Sequence, residues 1–455
     1  MKSLELAVLS LVPFIMVLGN SMLIPVLPAI QRAVARSDSG VGLLITAFSL
    51  VAGVTIPFTG FLSDRIGRKK LIAPALVTYG AGGLICGLAS ILAARPFGLL
   101  LAGRAVQGLG AGGTYQLAMA LVGDAEQSRR RARSLGILES ANGLGKVVSP
   151  VAGAALGLIS WFAVFFAYGF LALPAAAAVW FLVREPPRRQ SAPPLSHYTR
   201  VLTRTFRDKG VCLLAALGAG MTVLFVLFGA LATYSDLLEA RFGIRGFAKG
   251  LILAVPVTAM ASVSYATGIM LQRILTRIAK PALLAGLALV AAGLAGAPLT
   301  SAHRPWLVLM SAIGAGTGLV LPSLNLLFTS SVPEQERGLV TAVYGTARFW
   351  AVAMGPPAFG LAERVGLPLV FWVVAGLALG VAAVVAVWLD TGRVLPAQLK
   401  GRAAETPAAR PAQASATAQR PVPGTAGSTA QEAAPEFHQD TGDAGGDEGA
   451  SGHPP

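Results

Sequence analysis

Charge is scarce in this chain. Only 13% of its 455 residues are Asp, Glu, Lys or Arg, where soluble domains carry about 25%. Hydrophobic residues make up 54%, which excludes a fold whose only solvent is water. Cysteine is scarcer still. Cys86 and Cys212 are the two present, each inside an apolar run, so a disulfide framework and a zinc site are both excluded. The four histidines, His197, His303, His438 and His453, fall in polar connections or in the C-terminal stretch. No catalytic or metal-ligating cluster results, and the expectation is neither an enzyme nor a protein with a bound metal or cofactor. Basic residues outnumber acidic ones by 36 to 21, but they crowd short connections without interleaved aromatics, which argues against nucleic acid as a partner.

What the chain has in abundance is long apolar runs. A helix that crosses a bilayer needs about 20 mostly apolar residues. Twelve such spans are expected near 5–28, 40–62, 71–94, 97–122, 135–159, 161–183, 211–236, 250–271, 281–302, 306–330, 339–361 and 367–389. The first is too long for a cleaved signal and lacks a small-residue cleavage site, so it reads as a retained helix. Connections after even-numbered spans hold 19 Lys and Arg, and those after odd-numbered spans hold 8. The positive-inside rule then puts both termini in the cytoplasm of a cell-membrane protein. The expected organisation is a six-span half over 1–183, a cytoplasmic loop over 184–210, a second six-span half over 211–390, and a tail over 391–455. The tail is rich in Ala, Pro, Thr, Gly and Gln, with Phe437 its lone aromatic. Such a composition predicts a disordered cytoplasmic extension, regulatory or plain.

The halves echo each other. A shift of 206 places Gly108 and Gly110 on Gly314 and Gly316, Arg131 on Arg337, and Pro150 on Pro356. A shift of 208 places Gly60 on Gly268 and Arg65 on Arg273, with Gln272 where Asp64 stands. Weak duplication at half length is the trace left by two halves rocking about a central site.

Charge inside a bilayer is costly, so the few ionisable residues deep in the spans are the first candidates for function. These are Arg104 in span 4, Glu139 and Lys146 in span 5, and Arg348 in span 11. Glu139, Asn142 and Lys146 recur at three and four residues and share one helical face. Glu139 and Lys146 lie about 10 Å apart along the axis, with Asn142 placed to bridge them. Such a stripe fits a proton or substrate site, or a fixed pair that locks span 5 to a neighbour. Three cations against one acid favour neutral, zwitterionic or acidic cargo. Arg348 should face the cavity, opposite Glu139 or an anion. Asn20 is the strongly polar side chain of span 1. Phe225, Phe228, Asn325, Phe349 and Trp350 are further candidates for a cavity wall.

Between spans 2 and 3 stands Gly60-x-x-x-Asp64-Arg65-x-Gly67-Arg68-Lys69, which resembles the signature loop of the major facilitator superfamily of secondary transporters. The resemblance implies an all-α integral membrane fold of twelve helices in two pseudo-symmetric six-helix halves. It also implies a cytoplasmic latch. Gly60 would permit close helix approach, Asp64 would sit against the start of span 11 near Gly338, and Arg65, Arg68 and Lys69 would pair with Asp124 or Glu126.

Three further segments are similar to the drug:proton antiporters of that superfamily. One is Leu100-x-x-x-Arg104-x-x-Gln107-Gly108-x-Gly110, whose arginine is implicated in proton transfer in the family. Arg104 holds its own proton, so it either tunes a carboxylate, Glu139 being the obvious one, or bonds backbone carbonyls. The second is the glycine and proline series of span 5, Gly143, Gly145, Pro150, Gly153 and Gly157, a hinge of close packing with Ser149-Pro150 where the family has Gly-Pro. The third is Leu18-Gly19 with Pro25-Val26-Leu27-Pro28. Spans 1, 4, 5, 7, 10 and 11 would line the cavity. The resemblance implies a monomeric, proton-coupled exporter of small amphipathic compounds that works by alternating access. Its partners would be protons, cargo and the lipid bilayer, and it needs no cofactor beyond the proton gradient. Segments of spans 1 and 5 also resemble bacterial siderophore exporters, so an acidic metabolite is the alternative cargo, and a proton-coupled importer a more distant one.

Overall fold

A computed structural model describes residues 1–34, 38–126, 128–185, 195–331 and 337–390. Within them all regular structure is helical, fourteen α-helices and two 3-10 turns. Ten helical stretches are long and apolar enough to cross a membrane. The other two expected spans are also present. Span 4 is divided into Phe97–Ala111 and Thr114–Ala125, and span 11 is Arg337–Phe359. The chain is thus an all-α, twelve-span protein. The tail beyond 390 lies outside the described residues. Helix Leu195–Ala240 begins inside the stretch read as the central loop.

Local chemistry explains the two interruptions. Span 1 runs Ser3–Ser21, yields to a 3-10 turn at Ile24–Val26, and resumes as Leu27–Val34. Pro25 and Pro28 have no N–H to give an α-helical ladder there. Span 4 breaks at Gly112-Gly113. Gly113 has φ +81, and a Cβ on it would collide with the Thr59 hydroxyl. Only glycine takes that left-handed conformation without strain.

With lipid outside, close backbone approach holds helices together more than hydrophobic burial does. A Cβ on Gly82 of span 3 would lie 2.6 Å from the Gly103 carbonyl of span 4. Gly145 and Gly153 of span 5 seat it on span 1, where a Cβ on Gly145 would meet the Phe14 carbonyl at 3.0 Å. Span 2 packs along span 11, and span 5 along span 8. The Thr46 hydroxyl donates to the Ala353 carbonyl at 2.5 Å and that of Thr346 to Gly53 at 2.9 Å. Two glycines expected to serve close approach do not. Neither Gly60 nor Gly143 has any atom within 4 Å of the position a Cβ would take. Both face away from neighbouring helices, so a side chain there meets open space.

Gly82→Val should cost about 1–3 kcal/mol through overpacking and lower the thermal midpoint in detergent, whereas Gly60→Ala should leave it unchanged. Equal midpoints for the two variants would show that the span 3–span 4 contact is not tight.

Candidate functional site

Spans from both halves enclose a cavity of about 170 Å³. Its polar wall is Asn20, Ser21, Tyr115, Glu139, Asn142, Lys146 and Arg348, and its apolar wall includes Met16, Phe48, Phe228, Met260 and Phe349. Helical spacing brings Glu139, Asn142, Lys146 and Pro150 of span 5 to that one wall. Spans 2 and 8 contribute as well, which the sequence reading omitted. Three expected wall residues lie elsewhere. Phe225 packs edge-on against Phe359. Trp350 is 41% exposed, with its indole beside Gly53 of span 2. Asn325 is not among the lining residues.

Glu139 is exposed, and what it faces is the cavity it lines. The expectation of an acid immersed in hydrocarbon is therefore corrected: water in the cavity can reach it. Its carboxylate accepts a hydrogen bond from the Tyr115 hydroxyl rather than from Asn142. Tyr115 lies in the first turn of the second piece of span 4, just past the break at Gly112-Gly113. No contact ion pair joins Glu139 to Lys146 or Arg348 in the described residues. The Arg348 guanidinium lies 5.3 Å from the centre of the Tyr344 ring. The cavity thus holds two cations and one acid, none neutralised by direct contact with another.

Arg104 does something different from tuning Glu139. It is fully buried, and its fork of donors is spent on neutral oxygens. Nε donates to the Leu44 carbonyl at 3.0 Å, Nη1 to the Gly19 carbonyl at 2.9 Å and to Gln107 Oε1 at 2.6 Å, and Nη2 to Asn20 Oδ1 at 2.5 Å. The Phe48 ring lies under its guanidinium, 4.4 Å away. Asn20 in turn donates to Ser49 at 2.7 Å. Arg104 is a tie among spans 1, 2 and 4. It touches the cavity only through Asn20 and Phe48.

At the signature loop, Arg68 Nε lies 3.0 Å from Asp124 Oδ2. The backbone N–H of Arg68 donates to Glu185 at 2.5 Å, an acid at the end of span 6 that sequence reasoning missed. Gly67 is required by geometry, with φ +117 and the Glu185 carboxylate where a Cβ would go. Arg65 stacks over the Phe61 ring at 3.6 Å, and Lys69 lies 5.8 Å from the Trp180 ring. Glu126 instead accepts from Ser134 at 2.9 Å and faces the Met1 amine at 3.5 Å. The contact expected between Asp64 and the start of span 11 near Gly338 falls on residues 337–341, which are helical but whose side chains lie outside the described ones.

The family model described as Major Facilitator Superfamily matches residues 9–356, and the chain belongs to that superfamily of multi-pass membrane transporters. It is 35% identical to a bacillibactin exporter of Bacillus subtilis (strain 168), over 77% of this chain and 88% of that protein. It is 31% identical to a class C tetracycline resistance protein of Escherichia coli, over 70% of this chain and 80% of that one. Among solved structures, a bacterial homolog of the human lysosomal transporter Spinster, inward-facing and unoccupied, superposes with a TM-score of 0.68 at 19% identity, covering 90% of this chain and 100% of that one. A D-xylose-proton symporter gives 0.70 at 13% identity, covering 86% and 99%. At such identities the likeness concerns the fold alone.

Arg104→Lys should destabilise the protein by about 3 kcal/mol, because a single ammonium cannot reach acceptors on three helices and leaves some buried and unpaired. Thermal unfolding in detergent measures this, and a variant as stable as the parent would show that Arg104 is no tie.

Proposed function

We propose that the protein is a proton-coupled exporter of small amphipathic compounds, working by alternating access in the cell membrane with both termini in the cytoplasm. The carrying observation is Glu139, the one acid lining the cavity among the described residues, reachable by water and held by Tyr115 between two helices. An acid so placed can load a proton from whichever side the cavity faces. The two relatives, a bacillibactin exporter and a tetracycline resistance protein, support export over import. In this reading the proton gradient is the energy source and no cofactor takes part.

Charge in the cavity separates two cargo classes. Protonating Glu139 leaves Lys146 and Arg348 without any acid beside them, which repels cationic cargo and attracts acidic cargo. Proton and cationic cargo then compete, as antiport requires. The two cations favour a second reading, export of an acidic metabolite such as a siderophore, in line with the bacillibactin exporter. An acid would bind better to the protonated site; with the proton kept on Glu139 through the cycle, the exit of the anion moves a negative charge outward and draws on the membrane potential, about 2.3 kcal/mol per charge per 100 mV.

Two dyes whose charge does not change near neutral pH sort these readings. As pH falls, ethidium binding to purified protein should weaken and 1-pyrenesulfonate binding should strengthen by several fold, with both trends lost in Glu139→Gln. In vesicles, Glu139→Gln should abolish cargo-driven collapse of an imposed pH gradient at normal expression. Normal flux in that variant would remove Glu139 from the mechanism.

The latch between the halves rests on the resemblance of the signature loop, whose described contacts, Arg68 with Asp124 and Glu185, lie within the first half. Asp64→Asn should slow turnover several fold with cargo affinity unchanged. Unchanged turnover would reduce the loop to an anchor in the lipid surface.

A further inference from the structure

A second charged cluster lies on the face opposite the signature loop, where the connections after spans 1, 7 and 11 meet. Glu239, at the end of span 7, uses both carboxylate oxygens. Oε1 accepts from Lys249 Nζ at 2.5 Å, and Oε2 accepts from Arg32 Nη1 at 2.7 Å. The three side chains differ sharply in exposure: Lys249 2%, Glu239 9% and Arg32 61%. Lys249 and Glu239 both belong to the second half of the chain, and Arg32 belongs to the first.

That asymmetry has a physical consequence. A buried ammonium needs a counter-charge at all times, and Glu239 supplies it from within the same half. The Lys249–Glu239 pair can therefore stay intact whichever way the halves rock. Arg32 is solvated already, so the bond that crosses between halves can be exchanged for water at little cost. Other bonds across the same seam are Gln31 to Glu363 at 3.4 Å and the Ser235 hydroxyl to the Ile24 carbonyl at 2.9 Å. The cluster is also joined to the cavity. Gly250, next to Lys249, lies so close to span 5 that a Cβ would sit 2.8 Å from the Pro150 carbonyl, and Pro150 continues the stripe of Glu139 and Lys146.

We propose that Glu239, held by Lys249, is the receiver of an outer latch whose releasable arm is Arg32, and that this latch sets how often the cavity opens to the outer face. The inference rests on the alternating-access reading above, but its test needs neither cargo nor a proton at Glu139.

The test uses the full chain with Cys86 and Cys212 replaced by Ala and one cysteine placed on the cavity wall, Ser21→Cys. A membrane-impermeant maleimide is added to intact cells. Arg32→Ala should raise the labelling rate from outside by about 3–10-fold with an unchanged thermal midpoint, and Arg32→Lys should bring the rate back toward that of the parent. Glu239→Gln should raise it as well. Equal rates in the parent and Arg32→Ala, at equal expression, would overturn the latch while leaving proton-coupled export standing. Should Glu239→Gln fail to express, the Arg32 pair of variants still decides the matter.

Discussion

Hydrocarbon offers no hydrogen bonds, and the Arg104 tie is where this fold meets that constraint most severely. A permanent cation sits fully buried near the middle of the first half. It is tolerable there only because two backbone carbonyls, an asparagine and a glutamine accept its donors. Satisfying it fixes spans 1, 2 and 4 relative to one another. That arrangement presents Asn20 and Phe48 to the cavity, so the shape of one cavity wall is inherited from the need to hydrogen-bond a buried guanidinium.

The second determinant is where glycine lets backbones touch. Gly82 and Gly103 bring spans 3 and 4 together, and Gly145 and Gly153 seat span 5 on span 1. Gly113 does something else, since its positive φ breaks span 4 just before Tyr115. Tyr115 lies in the first turn of the piece that starts there and donates to Glu139. The hydrogen bond at the centre of the proposed proton site thus lies next to a backbone feature that involves neither partner.

The ionic contacts at the two ends of the bundle are built alike. At each, an acid is paired with a base of its own half, exposed at Asp124 and nearly buried at Glu239. Asp124 with Arg68 occupies one end, and Glu239 with Lys249 the other. Contacts of this kind suit a molecule whose halves must part and rejoin, because water replaces an exposed arginine readily while the acid stays compensated.

Much of this was legible in the chain itself. Twelve apolar runs appear as twelve spans because span length is dictated by bilayer thickness, whatever the neighbours. The polar stripe of span 5 was readable because a helix repeats every three to four residues, and the structure turns that face to the cavity. Other features were hidden for stated reasons. The close-packing glycines could not be told from the open ones, Gly60 and Gly143, because a glycine carries no mark of which helix face has a neighbour. Lys249 looked like one more loop cation, and Glu185 like one more loop acid, because their partners lie far away in sequence or on another helix. The sequence alone determined solvent, span count, charge bias and the identity of the few intramembrane charges, since these follow from composition and local periodicity. Only the tertiary structure decided which of those charges is a tie, which face water, and which acid receives the cross-half arginine, because pairing is a matter of distances between helices that no single helix encodes.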